Sequence, residues 1–211
     1  MPSPPSPVPR LPPAPPGLRV GLFGGSFNPA HDGHRRASLL ALKRLSLDRV
    51  WWIVTPGNPL KDAAGLPSLA ERVEAAQAVA RHPRIVVTGF EAAIGTRFTA
   101  DTLAWLARHR PGARFVWIMG ADNLAGFHRW RDWRAIARLM PVAVVDRPGA
   151  AAAVAAPAAR ALARARINEA DAAGLADRAP PAWVLLHGPR SPLSSTALRA
   201  RARTGAEPRP G

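Results

Sequence analysis

Gly21-Leu22-Phe23-Gly24-Gly25-Ser26-Phe27-Asn28-Pro29-Ala30-His31-Asp32-Gly33-His34 is the stretch whose reading decides the rest of the chain. Apolar residues before and within it (Leu18, Val20, Leu22, Phe23) predict a short buried strand, closed at once by two glycines. Two histidines then stand at the mouth of a helical pattern expected from about residue 34 to residue 45. Glycines let backbone approach a bulky anion, and a helix start offers free N–H groups at the positive end of a dipole. Imidazoles placed there can donate to phosphate oxygens. The pattern points to nucleotide phosphates. Two other readings compete: a surface pair that caps the helix, and half of a zinc site with no third ligand nearby in sequence. Gly24 and Gly25 before the pair, and Gly33 inside it, favour phosphate contact; no protein metal site is expected.

Outward from this stretch, strand-like apolar runs alternate with helical patterns, which predicts an α/β fold with a mostly parallel sheet. Strands are expected over residues 18–23, 50–54, 84–88, 114–119, 141–145 and 183–186. A helix is expected from Leu69 to about Arg81, opened by Ser68 with Glu71 three residues on, a capping box. Another is expected over residues 99–110, stopped by Pro111-Gly112. The alanine-rich stretch 150–176 reads either as a helix broken by Pro157 and Gly174 or as a loosely ordered excursion. Its apolar face is thin: Leu162, Ile167, Leu175 and alanines. One domain is expected over residues 18–202, with an excursion at 150–180 and disordered tails at 1–17 and 203–211.

A chain of 211 residues, 47% hydrophobic, can bury one good core. It has no apolar run of about eighteen residues, the length a membrane span needs, so no membrane partner is expected. The proline-rich N-terminus lacks the apolar centre of a signal peptide. With no cysteine, neither a disulfide framework nor a cysteine zinc site is possible, which fits a cytoplasmic location. The net charge of +15 invites a nucleic-acid reading. Against it, only Lys43 and Lys61 are lysines among 29 basic residues, the mark of arginine inflated by coding bias. Several arginines also fall in the tails (Arg10, Arg203, Arg209) or the alanine-rich stretch (Arg160, Arg164, Arg166), and no basic stripe carries interleaved aromatics. Attraction for small polyanionic substrates explains the sign equally well. No nucleic-acid partner is expected.

In open parallel sheets ligands bind beyond the carboxyl ends of the strands, where strand order reverses. Four candidate segments follow strand-like runs: 24–34, 58–61, 120–123 and 194–199. In Ser194-Ser195-Thr196-Ala197-Leu198-Arg199, three hydroxyls exceed what one helix cap uses, and Arg199 falls a turn beyond Ser195. Together they make a second phosphate cradle. Asp122, in Gly120-Ala121-Asp122-Asn123, can accept from ribose hydroxyls, with an ordinary cap before Leu124 as the alternative. Trp130 offers a flat stacking face, although tryptophan is more often core and the chain has seven. Lys61 suggests a site that needs a compact point charge.

Together these motifs resemble the nucleotidyltransferase superfamily marked by an H-x-G-H signature, and within it the bacterial nicotinate-nucleotide adenylyltransferase family. The superfamily likeness rests on Gly24-Gly25-Ser26-Phe27-Asn28-Pro29-x-His31-x-Gly33-His34 and on Ser194-Ser195-Thr196-x-Leu198-Arg199. The finer likeness rests on Asn58-Pro59-Leu60-Lys61, Phe98-Thr99-Ala100-Asp101-Thr102-Leu103, Gly120-Ala121-Asp122-Asn123, Phe127-His128-x-Trp130 and Arg147-Pro148-Gly149. The resemblance covers about residues 18–202. It implies a Rossmann-like, doubly wound sheet and transfer of AMP from ATP to nicotinic acid mononucleotide. It also implies a Mg²⁺ ion carried with the ATP. By the same resemblance His31 and His34 contact ATP phosphates, and Gly24, Gly25, Ser26 and Phe27 line the nucleotide site. Gly120 and Asp122 hold the adenosine; Ser195, Thr196 and Arg199 hold the leaving pyrophosphate. Asn58, Lys61, Thr99 and Trp130 take the mononucleotide. The resemblance implies a final helix after the Ser-Ser-Thr motif, whereas Thr204-Gly205-Ala206-Glu207-Pro208 predicts none, and the oligomeric state is left open. Rival readings are another superfamily enzyme, such as phosphopantetheine adenylyltransferase or a cytidylyltransferase, and a basic nucleic-acid-binding protein. Phe127-His128-x-Trp130 with Lys61 speaks against the first, and the scattered arginines against the second.

Overall fold

The computed structural model describes residues 10–57, 66–146 and 153–188. The strands are β1 (Arg19–Gly25), β2 (Arg49–Val54), β3 (Ile85–Thr88), β4 (Arg114–Gly120), β5 (Val142–Val145) and β6 (Trp183–Leu186). They form one sheet in the order β3-β2-β1-β4-β5-β6. Every neighbouring pair is parallel. This is the doubly wound, Rossmann-like order, and it reverses between β1 and β4. The strands are apolar almost throughout because both faces of the sheet are covered.

Helices α1 (Asp32–Arg44) and α2 (Leu69–Ala80) cover one face, over Phe23, Val50, Trp52, Val116, Ile118 and Val184. The opposite face carries α3 (Phe90–Ile94), α4 (Thr99–His109), α5 (Ala121–Gly126), α6 (Trp133–Leu139) and α7 (Pro157–Ala161). There Leu22, Trp51, Phe115, Trp117, Val144 and Leu185 meet Phe90, Leu103, Leu106, Leu124, Ile136 and Ala158. The capping box at α2 forms as expected. The Ser68 hydroxyl accepts from the Glu71 N–H at 3.2 Å, and Glu71 Oε2 accepts from the Ser68 N–H at 2.7 Å. Arg81, at φ 32, takes the left-handed conformation that ends the helix.

Some details differ from the sequence expectation. Helix α1 starts at Asp32, with His31 as its N-cap, rather than at about residue 34. Helices α3, α5 and α6 have only five to seven residues, too few for a period to register. In the alanine-rich stretch residues 153–154 are helical, 155–156 turn away, and Pro157 opens α7, its missing N–H falling among the groups a first turn leaves unpaired, so the helical pattern is interrupted just before Pro157. Gly174 lies inside a 3₁₀ run, Glu169–Asp177, whose Leu175 is fully buried. Asp177 ties that run to the starts of β1 and β4 by ion pairs with Arg19, at 2.7 Å, and with Arg114. The leader, expected as a disordered tail, lies against the fold from Arg10 onward. Thr88 Oγ1 donates to the Arg10 carbonyl at 3.0 Å, and the Gly17 N–H donates to the Gly112 carbonyl at 2.8 Å. Leu11 and Ala14 pack on the core. Proline-rich composition signals the absence of helix and ladder, not the absence of contact.

The crevice at the reversal depends on a close approach. A Cβ built on Gly24 would stand 2.5 Å from Cη2 of Trp117, across on β4, whereas one on Gly25 would meet nothing nearer than Phe27 Cε2 at 3.5 Å. Gly24→Ala is therefore expected to cost about 1–3 kcal/mol. Gly25→Ala should cost well under half of that. Chemical denaturation of both variants checks the contrast.

Candidate active site

Strands β1 and β4 run side by side, with Phe23 opposite Ile118, so Gly24-Gly25 and Gly120 end at the same edge of the sheet. Each chain then turns into a helix. The first turn leads through Ser26 and Phe27 to His31, the N-cap of α1, which is only 6% exposed. The second is immediate: Gly120 is itself the N-cap of α5, and Asp122 is exposed in the first turn. Two helix starts thus lie at one edge of the sheet, and a helix start is the end that can offer N–H groups to an anion.

His34 sits one turn into α1, half-buried. Its Nδ1 accepts from the His31 N–H at 3.2 Å, and its own N–H donates to the His31 carbonyl at 2.9 Å. An accepting Nδ1 places the proton of the neutral ring on Nε2, which makes Nε2 a donor. The two imidazole centroids lie 3.8 Å apart. Beneath His34 is an aromatic bed. Phe27 lies 4.9 Å from its ring and stacks on Trp52 at 5.0 Å and 18°. Trp52 Nε1 donates to Ser38 Oγ at 2.7 Å, and that hydroxyl donates to the His34 carbonyl at 2.9 Å. The ring and the backbone of His34 are therefore both fixed to β2. Phe27 is 2% exposed with φ 45, a left-handed backbone that a phenylalanine adopts only under constraint. Its ring belongs to the core, which leaves its backbone as the part that can face a nucleotide.

On the other side of the crevice Thr99 is the first residue of α4, half-buried. Trp130 ends the 3₁₀ turn Phe127–Arg129 and is also half-buried. Its ring meets Phe127 at 5.5 Å and Trp117 at 6.4 Å, both edge-on. Arg131 joins the two segments: its guanidinium lies 4.5 Å over the Phe98 ring and 3.7 Å from Asp101. Trp117 connects Gly24 to Trp130, so the phosphate side and the proposed ring platform share one indole. Asn58, Lys61, Arg147-Pro148-Gly149 and the whole of Ser194–Arg199 lie outside the described residues.

Several buried polar groups escaped the sequence reading, Arg72 and Glu91 among them. Arg72, in the first turn of α2, is 3% exposed and donates to loop carbonyls at the rim of the crevice. Glu91, in α3, is 4% exposed. The Thr102 hydroxyl stands 2.7 Å from Glu91 Oε1, 2.9 Å from Thr96 Oγ1 and 3.3 Å from the Phe98 carbonyl. This cluster holds the turn that presents Thr99. Burial raises the Glu91 carboxyl to about 7, opposed by the Thr102 hydrogen bond. Neither residue belongs to a motif. A charged residue in an otherwise apolar helix face was the only signal either one gave.

A doubly wound parallel sheet with two helices starting at its reversal point is the architecture of a class of nucleotide-handling proteins, and comparison with known families agrees. The chain belongs to the cytidylyltransferase-like family, whose model matches residues 22–201. More narrowly, it is 64% identical over 185 residues to a probable nicotinate-nucleotide adenylyltransferase of Methylorubrum extorquens, covering 87% of this chain and 100% of the relative. A Bradyrhizobium protein of the same description is 63% identical over 183 residues, covering 86% of this chain and 95% of the relative. Among solved structures, the Plasmodium falciparum nicotinic acid mononucleotide adenylyltransferase complexed with APC has the same fold. It superposes with a TM-score of 0.63 at 14% identity, over 87% of this chain and 83% of that one.

Glu91 gives the site a pH signature. Its folded pKa, about 7, lies above the unfolded value near 4.5, so the proton it holds stabilises the fold fully below pH 4.5. That contribution drains away as pH rises from about 4.5 to about 7 and stays lost above it. Glu91→Gln keeps the acceptor for Thr102 without the titration. Its unfolding free energy should lack the wild-type decline across that window and exceed wild type at pH 8, as urea titrations at a series of pH values would show.

Proposed function

We propose that this chain transfers AMP from ATP to nicotinic acid mononucleotide, giving deamido-NAD and pyrophosphate, with the crevice between β1 and β4 as the place of transfer. The observation that carries the site assignment is His34, oriented at the start of α1 with Nε2 as a donor, where the sheet order reverses. Relatives described as nicotinate-nucleotide adenylyltransferases support the reaction.

The chemistry suits these residue types. An oxygen of the mononucleotide phosphate attacks the α-phosphorus of ATP, a new P–O–P bond forms, and the bond to the β-phosphate oxygen breaks with pyrophosphate leaving. The nucleophile is already an anion, so no general base and no covalent enzyme intermediate are required. The protein positions two anions in line and neutralises developing charge. In this reading His31 and His34 steady the phosphates. Gly24, Gly25, Ser26 and the Phe27 backbone line the nucleotide, and Gly120 and Asp122 hold adenosine. Ser195, Thr196 and Arg199 take the pyrophosphate, while Asn58, Lys61, Thr99 and Trp130 take the mononucleotide. The donors around Gly24 and His34 are N–H groups, suited to phosphate oxygen and not to a hard cation. A Mg²⁺ ion would accordingly ride on the triphosphate, where it offsets charge on the leaving group. A cytoplasmic location fits these substrates, and no helix among the described residues is long and apolar enough to cross a membrane.

The direct test supplies ATP and Mg²⁺ with nicotinic acid mononucleotide, or with phosphopantetheine, and follows pyrophosphate. Release with the mononucleotide alone is expected; release only with phosphopantetheine would move the chain to the rival enzyme class. His34→Ala should lower kcat at least about a hundredfold, as loss of a preorganised donor to developing charge does. Trp130→Ala should raise the mononucleotide KM by about tenfold, the loss of one stacking contact, and leave that for ATP unchanged.

A further inference from the structure

Arg72 uses four hydrogen bonds to join two loops, the one after β1 and both ends of the one between β2 and α2. Its Nε donates to the Pro67 carbonyl at 3.0 Å, and Nη2 donates to Pro56 at 3.1 Å. Nη1 donates to two carbonyls, Ser26 at 2.9 Å and Thr55 at 2.8 Å. Ser26 belongs to the loop between β1 and His31. Thr55 and Pro56 follow β2 and lead to Gly57, beyond which the chain continues to Asn58 and Lys61. Pro67 precedes the cap of α2. A further bond, from the Thr55 N–H to the Gly25 carbonyl at 3.0 Å, closes the same junction.

We propose that Arg72 is a positioning residue that keeps the phosphate-side loop and the mononucleotide-side loop in one register, so that two separately bound substrates meet in line. The proposal rests on the adenylyl-transfer reading above. Burial lowers the pKa of Arg72 because charge is costly away from water, and the four carbonyl dipoles offset that cost. Shape matters here as much as charge. A guanidinium presents five donors in a rigid planar fork, whereas a lysine presents three from a single point and cannot span all four carbonyls. In-line transfer is sensitive to such spans, since a misplacement of about 1 Å costs on the order of a hundredfold in rate. Arg72 reaches both loops from outside the crevice and touches neither substrate in this reading.

The experiment starts with wild-type protein, ATP, Mg²⁺ and nicotinic acid mononucleotide. Absence of turnover there refutes the adenylyl-transfer reading itself, independently of Arg72. With turnover established, Arg72→Lys and Arg72→Gln are compared with wild type. We expect kcat to fall at least about thirtyfold in both, while the Kd of ATP and of the mononucleotide, each titrated alone, moves less than about threefold. A kcat within threefold of wild type, substrate Kd values that fall away together with kcat, or full rescue by lysine would overturn the proposal. Amide hydrogen exchange on the wild-type chain decides the matter even if neither variant folds. The mononucleotide alone should slow exchange in residues 26–34, and ATP alone should slow it at Thr55, Gly57 and Ser68, because coupling is reciprocal. Protection confined to each ligand's own loop would overturn it.

Discussion

Trp117 occupies the space that a side chain on Gly24 would fill, and the site is arranged around that contact. β1 and β4 lie at the one seam where the winding of the chain reverses, and helices leave their carboxyl ends toward opposite faces of the sheet. A crevice opens between those helices. The indole fills its floor from one side and supports Trp130 from the other. The glycine thus has a packing reason before any ligand arrives. Gly25, one residue on, meets only an ordinary contact and leaves its backbone approachable.

From that floor the site is stiffened by aromatic rings more than by charges. Phe27 takes a strained backbone, and its ring meets both Trp52 and His34, which also touch each other at 5.9 Å; Trp52 reaches His34 a further time through Ser38. Rings restrict the orientation of an imidazole, which suits a donor that must be aimed. The opposite wall is held differently, by Arg131 over Phe98 and by the buried Glu91–Thr102 contact under the start of α4. That wall is tied to a carboxyl that titrates near neutrality.

How much of this the sequence disclosed depended on the range of each interaction. The parallel sheet was legible because strands buried on both faces write continuous apolar runs, and α2 was legible because Ser68 and Glu71 are three residues apart. Gly24-Gly25 and the histidines announced a phosphate site through local spacing alone. Helices α3, α5 and α6 are shorter than two periods and left no pattern. Pro157 marked an interruption of the helical pattern, and the proline itself opens the second piece. Phe27 reads as part of a binding motif, yet its ring serves the core. Arg72 stayed invisible for a plainer reason: its acceptor at Ser26 is 46 residues away, and nothing in the sequence marks a carbonyl.

That last point bears on how such a site changes over time. Every acceptor of Arg72 at 26, 55, 56 and 67 is main chain, and main chain is the same for every amino acid. A loop side chain without a packing task such as that of Phe27 can therefore change without removing an acceptor of Arg72. A clasp that ignores side chains lets those loops change in sequence while they stay joined.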